Sequence, residues 1–170
     1  METSDSGFSL IELLIVVAII LVITAIAIPD LLRSKNAANQ ASAVGSLHVI
    51  VSSEASYSST YSSGYSSTLA ELDGSSTPAT SLAAGLIDSV LASGMKSGYN
   101  FYYVPCVTPG VPNSGSLGPG SCGATINVYQ VSSNPINGSG YGNFYFVDNS
   151  SVIRQNTTGP AGPTDPPLAG

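Results

Sequence analysis

Gly7-Phe8-Ser9-Leu10-Ile11-Glu12-Leu13-Leu14 opens a run in which residues 13–23 are apolar without exception. At 1.5 Å of helical rise per residue, residues 8–28 match a hydrocarbon core of about 30 Å. One carboxylate, Glu12, lies near the start of this span. A charge at the centre of a membrane helix costs roughly 2.5–3.5 kcal/mol on insertion scales, which marks Glu12 as a functional position. The plainer reading is an anchor or signal peptide whose acid rests at the interface. A cleaved secretory signal has a basic region ahead of a shorter apolar core. Residues 1–7 read Met-Glu-Thr-Ser-Asp-Ser-Gly, with no cation, so the apolar segment is expected to be retained.

Working outward, the chain of 170 residues is one modest domain plus that segment. Only 8% of residues are charged, far below the quarter usual in soluble domains. Arg33, Lys35, Lys96 and Arg154 face ten acids, for a net charge of −6. No basic patch is available to follow a phosphate backbone, which disfavours nucleic acid as a principal ligand. Ser, Thr, Asn and Gly supply most of the polar character, as suits a surface presented outside the cytoplasm. Cys106 and Cys122 flank a loop dense in Pro, Gly and Ser. A disulfide closing about 15 residues would contribute roughly 3 kcal/mol in the chain-entropy account and implies an oxidising compartment. Free thiols are the alternative, and two thiols without a neighbouring His are too few for structural zinc.

Gly7-Phe8-Ser9-Leu10-Ile11-Glu12-Leu13-Leu14 resembles the class III signal of type IV pilins and the related pseudopilins. The resemblance implies that a prepilin peptidase cuts after Gly7 and methylates the new amino terminus, Phe8. Glu12 then matches the acidic fifth mature residue of that family and Pro29 its proline at mature position twenty-two. The resemblance is tight from Gly7 to about Pro29 and extends further only in layout. It also implies a partner for Glu12: the amino terminus of Phe8 on an adjacent copy, since a carboxylate packed among apolar helices needs pairing. Pairing with its own terminus is the alternative. The leader departs from the family in carrying Glu2 and Asp5 where Lys or Arg is usual, so loop charge alone would orient the span the other way. Losing those two acids takes the net charge from −6 to −4.

The expected organisation is a leader over residues 1–7, a membrane-spanning and filament-core helix over 8–29, its amphipathic continuation over 30–57, a head over 58–158 and a flexible Pro/Gly-rich tail over 159–170. Ala37, Ala41, Val44, Val51 and Ala55 recur at helical spacing and predict the packed face. His48 falls on the edge of that stripe and reads as a packing residue. Pro29 is expected to bend or loosen the helix. Residues 58–81 read as loop with a short turn at 69–72. Tyr57, Tyr61 and Tyr65 sit four apart, as packing contacts or, less simply, as a ladder for electrons. Residues 82–92 suit a short helix. Strands are expected at 99–104, 125–131 and in a hairpin of 143–147 with 152–154. The fold class is therefore α+β, a long N-terminal helix laid on a small antiparallel sheet, with the strand segments loosely similar to a pilin head.

Little in the chain speaks for catalysis. The lone His48 has no G-x-S-x-G nucleophile turn to serve, and no P-loop is present. No enzyme activity, cofactor or resident metal is expected. Asp148 and Asn149 offer oxygen ligands for calcium, but a hairpin turn is the simpler reading. Asn137-Gly138-Ser139, Asn149-Ser150-Ser151 and Asn156-Thr157-Thr158 match glycosylation sequons. The expected function is a structural subunit of a bacterial type IV pilus, self-associating as a helical homopolymer. Its partners would be the prepilin peptidase, the inner-membrane assembly platform and, before assembly, the membrane. Its location would be the inner membrane as precursor and an extracellular filament after assembly. Such filaments serve adhesion, motility or DNA uptake. A major pseudopilin of a type II secretion system is the alternative, and a membrane-anchored extracytoplasmic enzyme or binding module is the alternative of another class, which predicts a deep polar pocket.

Overall fold

One helix, α1 (Leu10–Tyr61), carries more than a third of the described chain. The computed structural model describes residues 8–74, 78–105, 126–138 and 141–168. Two compact units divide them, Met1–Ala37 and Ala38–Gly170.

In the first unit α1 starts where the Ser9 carbonyl accepts from the N–H groups of Glu12 and Leu13, at 3.1 and 3.3 Å. Its Val and Ile residues are weak helix formers in water. In hydrocarbon, however, a helix satisfies every backbone group internally, whatever its side chains. α1 continues through Pro29, although proline removes the N–H that would bond to the Ala25 carbonyl.

In the second unit the rest of α1 lies on a sheet. The buried face is Ala43, Ser46, Leu47, Ile50, Ser53, Glu54 and Tyr57, turned from the one predicted. Ala37, Ala41 and Ala55 are exposed, as is His48, while Val44 and Val51 are half-buried. Apolar periodicity misplaced the stripe because three of the seven buried side chains are polar. α1 also runs four residues past the expected end at Tyr57, stopping at Tyr61. There Ser62 and Gly64 take positive φ, 53° and 86°. At Gly64 the conformation and the space both require glycine, since a Cβ would collide with the Ile126 carbonyl.

A 3₁₀ turn at Leu69–Leu72 follows as expected. The helix expected over 82–92 shrinks to α2 (Ser89–Ala92), capped by the Asp88 carboxylate accepting from the Leu91 N–H. The preceding residues instead bond by backbone to the 3₁₀ turn, Ala84 N–H to Glu71 and Leu86 N–H to Leu72, both at 2.8 Å.

Five antiparallel strands follow in the order β1-β2-β3-β4-β5: β1 (Met95–Lys96), β2 (Tyr99–Pro105), β3 (Tyr129–Pro135), β4 (Phe144–Asp148) and β5 (Arg154–Asn156). β3 runs later than expected because its second half, Val131-Ser132-Ser133-Asn134-Pro135, lacks strand composition. Pairing on both sides, with Tyr103 opposite Val131 and Val131 opposite Val147, holds it in the sheet. Alternation places Tyr99, Phe101, Tyr129, Val131, Tyr145 and Val147 toward α1, in one core with Leu47 and Ile50. The predicted β4–β5 hairpin forms, with Phe146 opposite Arg154. The opposite sheet face carries a second, smaller core of Phe144, Phe146 and Ala161. Ala161 belongs to the stretch predicted to be a flexible tail. Residues 159–168 instead fold back on the sheet, and Ala161 is 1% exposed.

Candidate functional site

Phe8 to Pro29 forms the first candidate. Phe8 precedes α1 by two residues and is 82% exposed. Glu12 occupies the first turn of α1, where a carboxylate complements the partial positive charge of the helix N-terminus. Pro29 lies seventeen residues on, about 25 Å along the axis. Between them every large apolar side chain is bare, including Leu13 at 63% and Leu21 at 63%. Among the described residues this helix alone is long and apolar enough to cross a membrane. Such a surface requires a hydrocarbon or protein covering. Gly7, the expected cleavage position, and Cys106 and Cys122, the expected disulfide, lie outside the described residues.

The second candidate was not singled out from sequence. Glu54 is fully buried on α1. Its Oε2 accepts from the Ser66 N–H at 2.9 Å and its Oε1 from the Ser66 hydroxyl at 2.5 Å. The Tyr103 hydroxyl donates to the Ser66 carbonyl at 2.8 Å, so helix, loop and β2 meet at one serine. Burial raises the Glu54 carboxyl above the usual carboxylate range, against the lowering effect of the Ser66 bonds. The next residue repeats the device at the surface, with Ser67 donating its N–H and hydroxyl to Glu71 at 2.7 and 2.6 Å. An acid standing inside the helical stripe of residues 50–57 was the only signal in the sequence. The chemistry available is that of a structural clamp.

The spaced tyrosines part company. Tyr57 and Tyr61 pack at 4.8 Å, while Tyr65 meets Tyr129 edge-on at 4.7 Å and Tyr129 stacks on Tyr103 at 5.8 Å. The Asp148 carboxylate, considered for calcium, accepts from the Ser150 N–H at 2.9 Å in the hairpin turn. Among the described residues no group of three or more His, Cys, Asp or Glu side chains is placed to hold a metal ion. Of the sequon asparagines, Asn149 is exposed in that turn. Asn156 is engaged, its Oδ1 accepting from the Thr158 N–H and hydroxyl and its Nδ2 donating to Asp165. A shallow cleft beside it is lined by Gln155, Asn156, Thr157, Asp165 and Pro166, with a single carboxylate.

Residues 3–28 match the family model of the prokaryotic N-terminal methylation motif, the class III signal of type IV pilins and pseudopilins. No curated protein and no solved structure matches the chain. The matched span contains Phe8 and Glu12 and covers the bare apolar part of α1 almost to Pro29.

Proposed function

We propose that the chain is a structural subunit of a bacterial type IV pilus, made as a membrane-anchored precursor, cut after Gly7, methylated on Phe8 and polymerised through α1. The observation that carries this reading is the N-terminal methylation motif over residues 3–28, continuous with a helix whose apolar surface is uncovered over the same stretch. A retained helix of this kind holds the precursor in the inner membrane. Once extracted, the same surface finds its covering in the helices of neighbouring copies. Glu12 and the amine of a neighbouring Phe8 then neutralise each other inside the bundle and fix axial register. The exposed, weakly charged head faces outward in the filament. We assign it no catalytic role, and its partners are its own copies, the prepilin peptidase and the assembly platform.

The same motif serves major pseudopilins of type II secretion systems, which is the alternative reading. Mass spectrometry of sheared surface filaments tests the proposal. The expected result is filaments whose first residue is N-methylated Phe8, and an unprocessed Met1 terminus confined to the membrane overturns it. Deleting the gene separates the two filament types: loss of sheared fibres with normal exoprotein release supports the pilus, and the converse supports the secretion pseudopilus.

A further inference from the structure

The final stretch of the chain behaves as a docked ligand of the sheet. Ala161 is 1% exposed and packs with Phe144 and Phe146 on the face turned away from α1. The chain then turns at Asp165, whose carboxylate accepts from the Gly162 N–H at 2.8 Å and from Asn156 Nδ2 at 3.2 Å. The Arg154 guanidinium donates to the Asp165 carbonyl at 2.8 Å. Beyond it the stretch runs antiparallel along the free edge of β5, with Pro167 opposite Arg154. The Gln155 N–H donates to the Pro166 carbonyl at 3.1 Å and the Leu168 N–H to the Ile153 carbonyl at 2.8 Å.

This geometry leaves an unusual outer rim. The Pro166 carbonyl and the Leu168 N–H turn inward to β5, so the backbone of Pro167 between them turns outward. Proline has no N–H, and the rim therefore lacks the donor that a further strand would need. An open strand edge is a template for pairing with another chain, and proteins blunt such edges with short strands, proline or a covering segment. Residues 159–168 supply the last two together. At the opposite edge β1 is only two residues long.

We propose that residues 159–168 are a sealing strap that keeps the β5 edge from pairing with β5 of a second copy of this chain. Self-association is then left to α1. The inference concerns the head alone and stands whether or not the chain forms a pilus.

The test uses the full chain in detergent micelles with a benzophenone photo-crosslinker replacing Thr157, an exposed residue next to β5. Ala161→Asp puts a charge against Phe144 and Phe146 and should release the strap. The expected result is amide exchange at least tenfold faster at Gln155 and Leu168, unchanged exchange at Val131, and new crosslinks joining residues 153–157 of two copies. Release without such crosslinks, or equal crosslinks in the parent chain, overturns the proposal. So does full protection of Gln155 in Ala161→Asp. If that variant loses protection at Val131 as well, a stop after Thr158 takes its place, read by exchange at Gln155 and Val131 and by the crosslinks. Unfolding of the sheet in both variants also overturns it, because the segment would then be core rather than cover.

Discussion

Ser66 donates both its backbone N–H and its hydroxyl to the carboxylate of Glu54, at 2.9 and 2.5 Å, in a place where neither residue is exposed to solvent. This pair closes the loop after α1 onto the helix and the sheet. Breaking a buried hydrogen-bonded pair from one side leaves the other side unsatisfied. Glu54→Ala should therefore destabilise the head by about 2–4 kcal/mol, read from chemical unfolding followed by tyrosine circular dichroism. Glu54→Gln keeps the shape and one acceptor and should cost about 1 kcal/mol. Equal losses from the two variants would show that the hydrogen bonds contribute little.

The same acid gives the fold a pH dependence. Burial raises its folded pKa above the ordinary value of 4.5, so its favourable contribution is complete below that value. The contribution is lost as pH rises through the folded pKa. Asp88 is shifted down by Lys96 and the Leu91 N–H and works in the opposite sense, losing its contribution as pH falls, but its side chain is half exposed and screened. The expected outcome is a parent chain that loses stability relative to Glu54→Gln as pH climbs from about 4.5. Parallel pH profiles would rule the assignment out.

Adjacent residues on α1 should behave oppositely. Leu47 is wholly buried in the main core, and Leu47→Ala should cost about 2–5 kcal/mol. His48 is exposed, and His48→Ala should stay within about 0.5 kcal/mol. A large effect at His48 would restore the packing role that periodicity assigned to it.

Two glycines give a second contrast. A Cβ at Gly142 would collide with the Tyr99 hydroxyl, which donates to the Asn143 carbonyl at 3.1 Å. Gly142→Ala should cost about 1–3 kcal/mol through overpacking. Gly45 sits inside α1 with nothing near a Cβ, so Gly45→Ala should stabilise the head by about 0.5–1 kcal/mol. Melting temperatures moving in opposite directions confirm both; a shared direction refutes one.

For Glu12, exposed at the start of α1, Glu12→Ala should still be cleaved after Gly7 yet lower filament yield tenfold or more. Undiminished yield would remove the argument for a pair between copies.

The first unit of this protein was legible in the sequence alone. A run as apolar as residues 13–23 has few ways to satisfy its backbone except as helix, and residues 3–28 carry the N-terminal methylation motif. The class of the head was also legible, because aromatic and β-branched runs at 99–104 and 143–147 favour strands whatever surrounds them. Tertiary structure decided what local pattern could not. It turned the buried face of α1 toward Ser46, Ser53 and Glu54, since a polar side chain is tolerated inside once a distant partner such as Ser66 satisfies it. It drew Ser132 and Ser133 into β3 through neighbours on both sides, and it docked a proline-rich tail whose anchors, Phe144, Phe146 and the β5 edge, exist only after the sheet has formed.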